Sequence, residues 1–150
     1  MSHDLVHNIK ALQAREADGE GAAVSATFTG QAIDCALAVS ICFLVDVGLN
    51  AGNAFSGTHS LTFKVQEGDL SDSSDMADIA AIDYLGGYRE DGSAWDYVLD
   101  AATDDSFVYR IGVRTNTKRY KRVIGTEAGT VSAVPVGVIA LLDHVFHAPV

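Results

Sequence analysis

Several clusters in the chain carry residues able to do chemistry. The run Glu67-Gly-Asp-Leu-Ser-Asp-Ser-Ser-Asp-Met-Ala-Asp78 packs carboxylates and hydroxyls closely. Calcium takes roughly six to eight oxygen ligands, and such a run supplies oxygens. Its spacing departs from an EF-hand loop, with neither the matched glycine nor the terminal glutamate. A solvated turn, in which Asp and Ser side chains bond their own backbone, is the favoured reading. Asp143-His144-Val145-Phe146-His147 offers a His pair at i, i+3. A closed zinc site needs further ligands, and no Cys or His stands at matching spacing. His144, Phe146 and His147 are therefore read as tail residues packing on a neighbour. Cys35 and Cys42 lie in apolar sequence and read as buried thiols of a reducing compartment, on opposite faces of one strand. No Gly-x-Ser-x-Gly elbow and no phosphate-binding glycine loop is present. These residues point away from an enzyme, a metal centre and a cofactor.

The densest cluster is basic. Six of the ten Lys and Arg residues fall between positions 110 and 122: Arg110, Arg114, Lys118, Arg119, Lys121 and Arg122. The chain as a whole is nonetheless acidic, with a formal net charge of −10. Between Glu67 and Asp105 only Arg89 offsets a long series of carboxylates. Such asymmetry suits an anionic partner. Tyr109 and Tyr120 interleave with the cations, as on a nucleic-acid stacking platform. Dedicated nucleic-acid binders are usually basic overall, which this chain is not. Contact with an acidic protein surface therefore ranks first. A solvated face, its charges partly paired with the acidic segment, ranks second, and nucleic acid third.

The elements that must position these residues are strands. Phe107, Tyr109, Ile111 and Val113 alternate with Val108, Arg110, Gly112 and Arg114, the period of a half-buried strand. Thr115-Asn116-Thr117 is a turn candidate, and Tyr120 with Val123-Ile124 marks a second strand, so the segment reads as a basic hairpin. Leu61, Phe63 and Val65 alternate with Thr62, Lys64 and Gln66. The apolar run 36–47 reads as a central strand buried on both faces. Further strands are expected over 23–29, near Trp95, Tyr97 and Leu99, and over 130–142. Residues 76–85 read as a strand or short helical turns ended by Gly86-Gly87, and residues 5–15 as either a short helix or an extended arm.

Short strands separated by Gly, Asn and Asp-Ser turns predict an all-β fold, an antiparallel sandwich or a jelly-roll-like barrel. At 150 residues the chain fits a single domain, with 1–14 as a candidate arm and 143–150 as a tail. No signal peptide is expected, and the longest apolar run is too short for a bilayer of ~30 Å. The chain is read as soluble and made in the cytoplasm.

Several segments together resemble a known group. They are Val6-His-Asn-Ile-Lys10, Phe63 to Ile79, Leu85-Gly86, Tyr109-Arg-Ile-Gly-Val-Arg114, Lys118-Arg-Tyr-Lys-Arg-Val123 and the closing Gly137 to Val150. Over most of its length the chain is similar to small head decoration, or cement, proteins of tailed bacteriophages. The resemblance implies a non-enzymatic virion protein without cofactor or metal. Such a protein is made in the bacterial cytoplasm and binds the outer surface of the major capsid protein lattice. It implies dimers or trimers, no membrane and no specific nucleic acid. Interface candidates are Arg110, Arg114, Lys118, Arg119, Tyr120, Lys121 and Arg122, with His144, Phe146 and His147 in the tail. The segment 88–106 is longer and more acidic than the group leads one to expect, which suggests an exposed inserted loop. A tail or head–tail joining component is the alternative within virions. A nucleic-acid module and a calcium-dependent glycan-binding sandwich stand further off.

Overall fold

Which side chains alternate decides what goes inside. A computed structural model describes residues 9–15, 27–49, 55–89, 92, 94, 96–131 and 134–143. In chain order the strands are β1 (Ile9–Arg15), β2 (Phe28–Thr29), β3 (Ile33–Asp34), β4 (Ser40–Val47), β5 (Ser60–Gly68), β6 (Ala77–Asp78), β7 (Tyr84–Arg89), β8 (Val98–Leu99), β9 (Phe107–Arg114), β10 (Tyr120–Ala128) and β11 (Val136–Asp143), with one 3-10 turn at Ala81–Asp83. One sheet has the order β1-β11-β4-β9-β7; the other has β2-β10-β5-β6, with β3 also on β10 and β8 on β5. Every ladder is antiparallel. The fold is the expected antiparallel sandwich. Among the described residues no helix is long and apolar enough to cross a membrane.

Alternate residues of both sheets meet in one core. Leu61, Phe63 and Val65 enter it from β5, as their period predicts, and Tyr109, Ile111 and Val113 enter from β9. Burying each such side chain contributes about 1.5–3 kcal/mol. On β4 only Ile41, Phe43, Val45 and Val47 are buried. Ser40, Cys42 and Leu44 on its other face are half-exposed, so the strand is not buried on both faces. Its apolar run also begins later than expected. Residues 35–38 form a turn, with Ala38 N–H donating to Cys35 O at 3.0 Å and Ala36 N–H to Asp34 Oδ1 at 3.0 Å. Cys35 thus precedes β4 and does not share a strand with Cys42.

The basic segment is not a hairpin. β9 pairs with β4 and β7, whereas β10 pairs with β5, β2 and β3, so the two strands belong to opposite sheets. Both strands have one apolar face. Placing them in opposite layers turns both faces into the same core, which a hairpin in one sheet with this short connection would not require. Other elements also differ from the sequence reading. Gly86 and Gly87 lie inside β7, at a register shift where Gly86 has φ 125°, a value that favours glycine. Val131 and Val134 are buried but precede β11. Residues 9–15 are an extended strand paired with β11, with Ala14 buried, so the helix alternative does not hold there. Part of 88–106 folds inward: Asp104 is 1% exposed, pairs with Arg89, and accepts N–H bonds from Asp100 at 3.0 Å and Ala101 at 2.8 Å. The strand expected there shrinks to β8, preceded by Tyr97 at φ 67°. Residues 23–26, Trp95 and 144–150 lie outside the described residues.

Gly125 shows how tightly the second sheet closes. It pairs with Phe28 on one side and Phe63 on the other. The two rings meet edge to face at 6.0 Å, and a β-carbon at 125 would overlap the Phe28 ring. Gly125→Ala should lower unfolding free energy by about 1–3 kcal/mol. Urea titration reads this as a lower midpoint at unchanged slope; an unchanged midpoint would contradict the packing.

Candidate protein-interaction site

The crossover 115–119 between β9 and β10 carries Lys118 and Arg119, and Tyr120, Lys121 and Arg122 follow it on β10, but the fold uses them differently. Lys121 stands directly opposite Glu67 in the β10–β5 ladder, and both side chains point into the sandwich. The Lys121 side chain is 0% exposed. Its ammonium donates to Glu67 Oε2 at 2.6 Å, to Thr117 Oγ1 at 2.9 Å and to Lys118 O at 3.5 Å. Thr117 Oγ1 in turn donates to Glu67. The reading of Lys121 as a docking residue is therefore corrected: period two places it in the same inward phase as Val123, and the cation is consumed inside.

Its neighbours remain outside. Lys118 donates to Asp69 Oδ2 at 2.9 Å, which raises the lysine and holds the Asp69 carboxyl below the usual range. Arg119 grips Asp34 through two bonds, 3.0 Å from Nε and 2.7 Å from Nη2, and lies 5.1 Å above the Tyr120 ring. Arg122 donates twice to Gln66 Oε1, at 3.0 and 2.8 Å. The second-ranked reading, cations paired with the acidic segment, thus describes Lys118. Exposed pairs of this kind add little to stability and are screened by salt.

Arg110 and Arg114 belong to a different surface. They project from the outer face of the five-stranded sheet, where Arg110 donates to Arg89 O at 3.1 Å. Among the described residues Arg114 has no ion pair. His144, Phe146 and His147 lie outside the described residues.

The acidic turn behaves as the sequence suggests. Asp75 accepts N–H bonds from Asp69 at 2.7 Å and Leu70 at 3.1 Å, and Asp72 accepts one from Ser74 at 3.0 Å. Backbone donors therefore hold both carboxyls below their ordinary value. Among the described residues no group of His, Cys, Asp and Glu is arranged to hold a metal ion. Both cysteines are free, and burial pushes the Cys35 thiol up to about 11, against thiolate chemistry at neutral pH.

Two features escaped the sequence reading. Leu37 and Val39 are 53% and 55% exposed beside the crossover. They looked like core because they continue the apolar run into β4. An open groove of about 500 Å³ is lined by Val39 and Ala38 together with Thr115, Asn116, Lys118 and Arg119. The second is a hollow of about 370 Å³ on the outer face of the five-stranded sheet, between Tyr88, Arg110, Gly86 and Gly112. The Gly86-Gly87 pair was its only signal, and it read as a break.

No protein-family model and no curated protein matches the chain. Among solved structures the chain is similar to the SPBc2 prophage-derived protein YomS, at 11% identity and a TM-score of 0.46, over 90% of this chain and 92% of that one.

Two outcomes follow. Lys121→Ala, which leaves Glu67 without its cation, should cost about 3–5 kcal/mol, whereas Lys121→Met with Glu67→Leu should fall near wild type or above. Comparable losses in both would contradict a clasp held by charge pairing. Asp69, Asp72, Asp75 and Asp78 all have folded-state values below the ordinary Asp range. Their contribution is present above about pH 3.9 and is lost as pH falls through the lowered folded values. Thermal midpoints should therefore hold from neutral pH to about 5 and drop below 4, less steeply for Asp75→Asn; equal acid limbs would refute the role of Asp75.

Proposed function

We propose that the protein is a non-enzymatic decoration protein. It binds the outer surface of the major capsid protein lattice of a tailed-phage head and stabilises that shell. The observation that carries this reading is the corner where exposed Val39 lines a groove with Lys118 and Arg119, with exposed Leu37 two residues before it in the same turn. Exposed aliphatic side chains rimmed by cations match the make-up of a protein-binding patch. The pairs of Lys118 with Asp69 and Arg119 with Asp34 are exposed and weak, so both cations can re-pair with carboxylates of a partner at little cost. The sequence resemblance to decoration proteins supplies the identity of that partner. A lattice suits such a patch, since many copies each binding through modest area reinforce one another.

Protein quantified in purified particles tests the reading. A decoration protein is present on the order of hundreds of copies, whereas a tail or joining ring holds roughly a dozen or fewer. Absence from particles, or a ring-like count, would overturn it. Leu37→Asp with Val39→Asp should release the protein from particles while leaving its unfolding free energy within about 1 kcal/mol of wild type. Undiminished occupancy would place the docking patch elsewhere.

A further inference from the structure

The outer face of the five-stranded sheet carries a pattern that complements itself. Its ladders fix four rows across β9, β4 and β11: Arg114-Ser40-Asp143, Gly112-Cys42-Leu141, Arg110-Leu44-Ile139 and Val108-Asp46-Gly137. On β7, Gly86 extends the second row and Tyr88 the third. Ile139, Leu85 and Tyr88 are 45%, 48% and 46% exposed, a high share of apolar surface for one flat face. The second row is small at Gly112 and Cys42, and the Tyr88 ring leans over its third member, Gly86; the hollow of about 370 Å³ lies between this row and Tyr88 and Arg110 of the third.

We infer that this face is the interface between two copies of the chain, related by a two-fold axis running across the strands at the level of Phe43. Such an axis reverses the order of the rows. Arg110 of one copy then faces Gly112 of the other, Leu44 covers Cys42, and Ile139 meets Leu141, while the Tyr88 ring stays over Gly86 of its own chain. Across the two sheets Arg114 falls diagonally opposite Asp46 of the second copy, offset sideways by one strand spacing of about 5 Å. Both residues are exposed, and each contact occurs twice. An axis along the strands would instead set Asp46 against its own copy and large rows against large. The face covers roughly 600 Å² per copy from strand spacing and rise. The resulting ~1,200 Å² in total reaches the lower bound of stable specific interfaces. Packing sheet on sheet about 10 Å apart is an ordinary solution for two faces of this kind.

The interface stands apart from the capsid reading, because it is measured on the protein alone. Sedimentation equilibrium of the full chain should give a dimer at micromolar concentration. Leu44→Asp should give a monomer with an unchanged circular dichroism spectrum. Arg114→Glu should weaken the dimer by roughly tenfold or more, since it sets two carboxylates together. Arg114→Glu combined with Asp46→Arg should restore it, because the swapped charges meet again across the axis. A monomeric wild type, a dimer indifferent to Leu44→Asp, or a swap that fails to restore the Arg114→Glu loss would each overturn the assignment.

Discussion

One buried ion pair decides how the rest of the molecule can be arranged. Lys121 and Glu67 face each other inside the sandwich, two residues from the core pair Val123 and Val65. Removing two charges from water costs several kcal/mol per ion, and only good geometry with satisfied protons offsets that. Here an ammonium with three donors finds three acceptors: a carboxylate, a hydroxyl and a carbonyl. Two of those acceptors, Thr117 Oγ1 and Lys118 O, belong to the crossover itself. The clasp therefore ties 117–118 to the end of β5 and holds β10 in the sheet opposite β9. Thr115, donating to Ala38 O at 2.5 Å, fixes the other end of the crossover to the turn before β4.

With the crossover held there, the basic segment divides. Lys121 disappears into the interior. Lys118, Arg119 and Arg122 decorate one end and the outer face of the second sheet, each with a partner on a neighbouring strand or turn. Arg110 and Arg114 emerge on the far side, on the first sheet. A hairpin would have presented all six cations together and made an electropositive ribbon. The observed fold splits that charge between two surfaces of different character, a corner with exposed aliphatics and a flat face with a glycine-lined hollow. The acidic carboxylates that looked like a separate patch supply partners for two of the six cations directly, Asp69 for Lys118 and Glu67 for Lys121.

Much of this was legible in the sequence. Period two in 61–66 and 107–114 placed Phe63, Val65, Tyr109 and Ile111 in the core, and the Asp-Ser run folded as a turn bonded to its own backbone. The misreadings have physical causes. Two alternating strands joined by a short polar link fit a hairpin and a sheet-to-sheet crossover equally well. The choice depends on which strands elsewhere compete for each edge, namely β4 for β9 and β5 for β10. A parity argument was nonetheless available. Val123 inward requires Lys121 inward, and an inward lysine demands a buried anion such as Glu67. The apolar stretch 36–47 hid a turn because Leu37 and Val39 are aliphatic yet exposed. Composition does not distinguish a surface built for contact from a strand built for the core.

The central claim is that Lys121 is a buried structural cation while its neighbours in the basic segment remain on the surface. Amine labelling of the native protein, followed by residue-resolved mass spectrometry, tests it directly. Lys64 and Lys118 should label promptly, and Lys121 should stay protected until the protein is unfolded. Labelling of Lys121 at the rate of Lys118 under native conditions would contradict the clasp and return the whole segment to the surface.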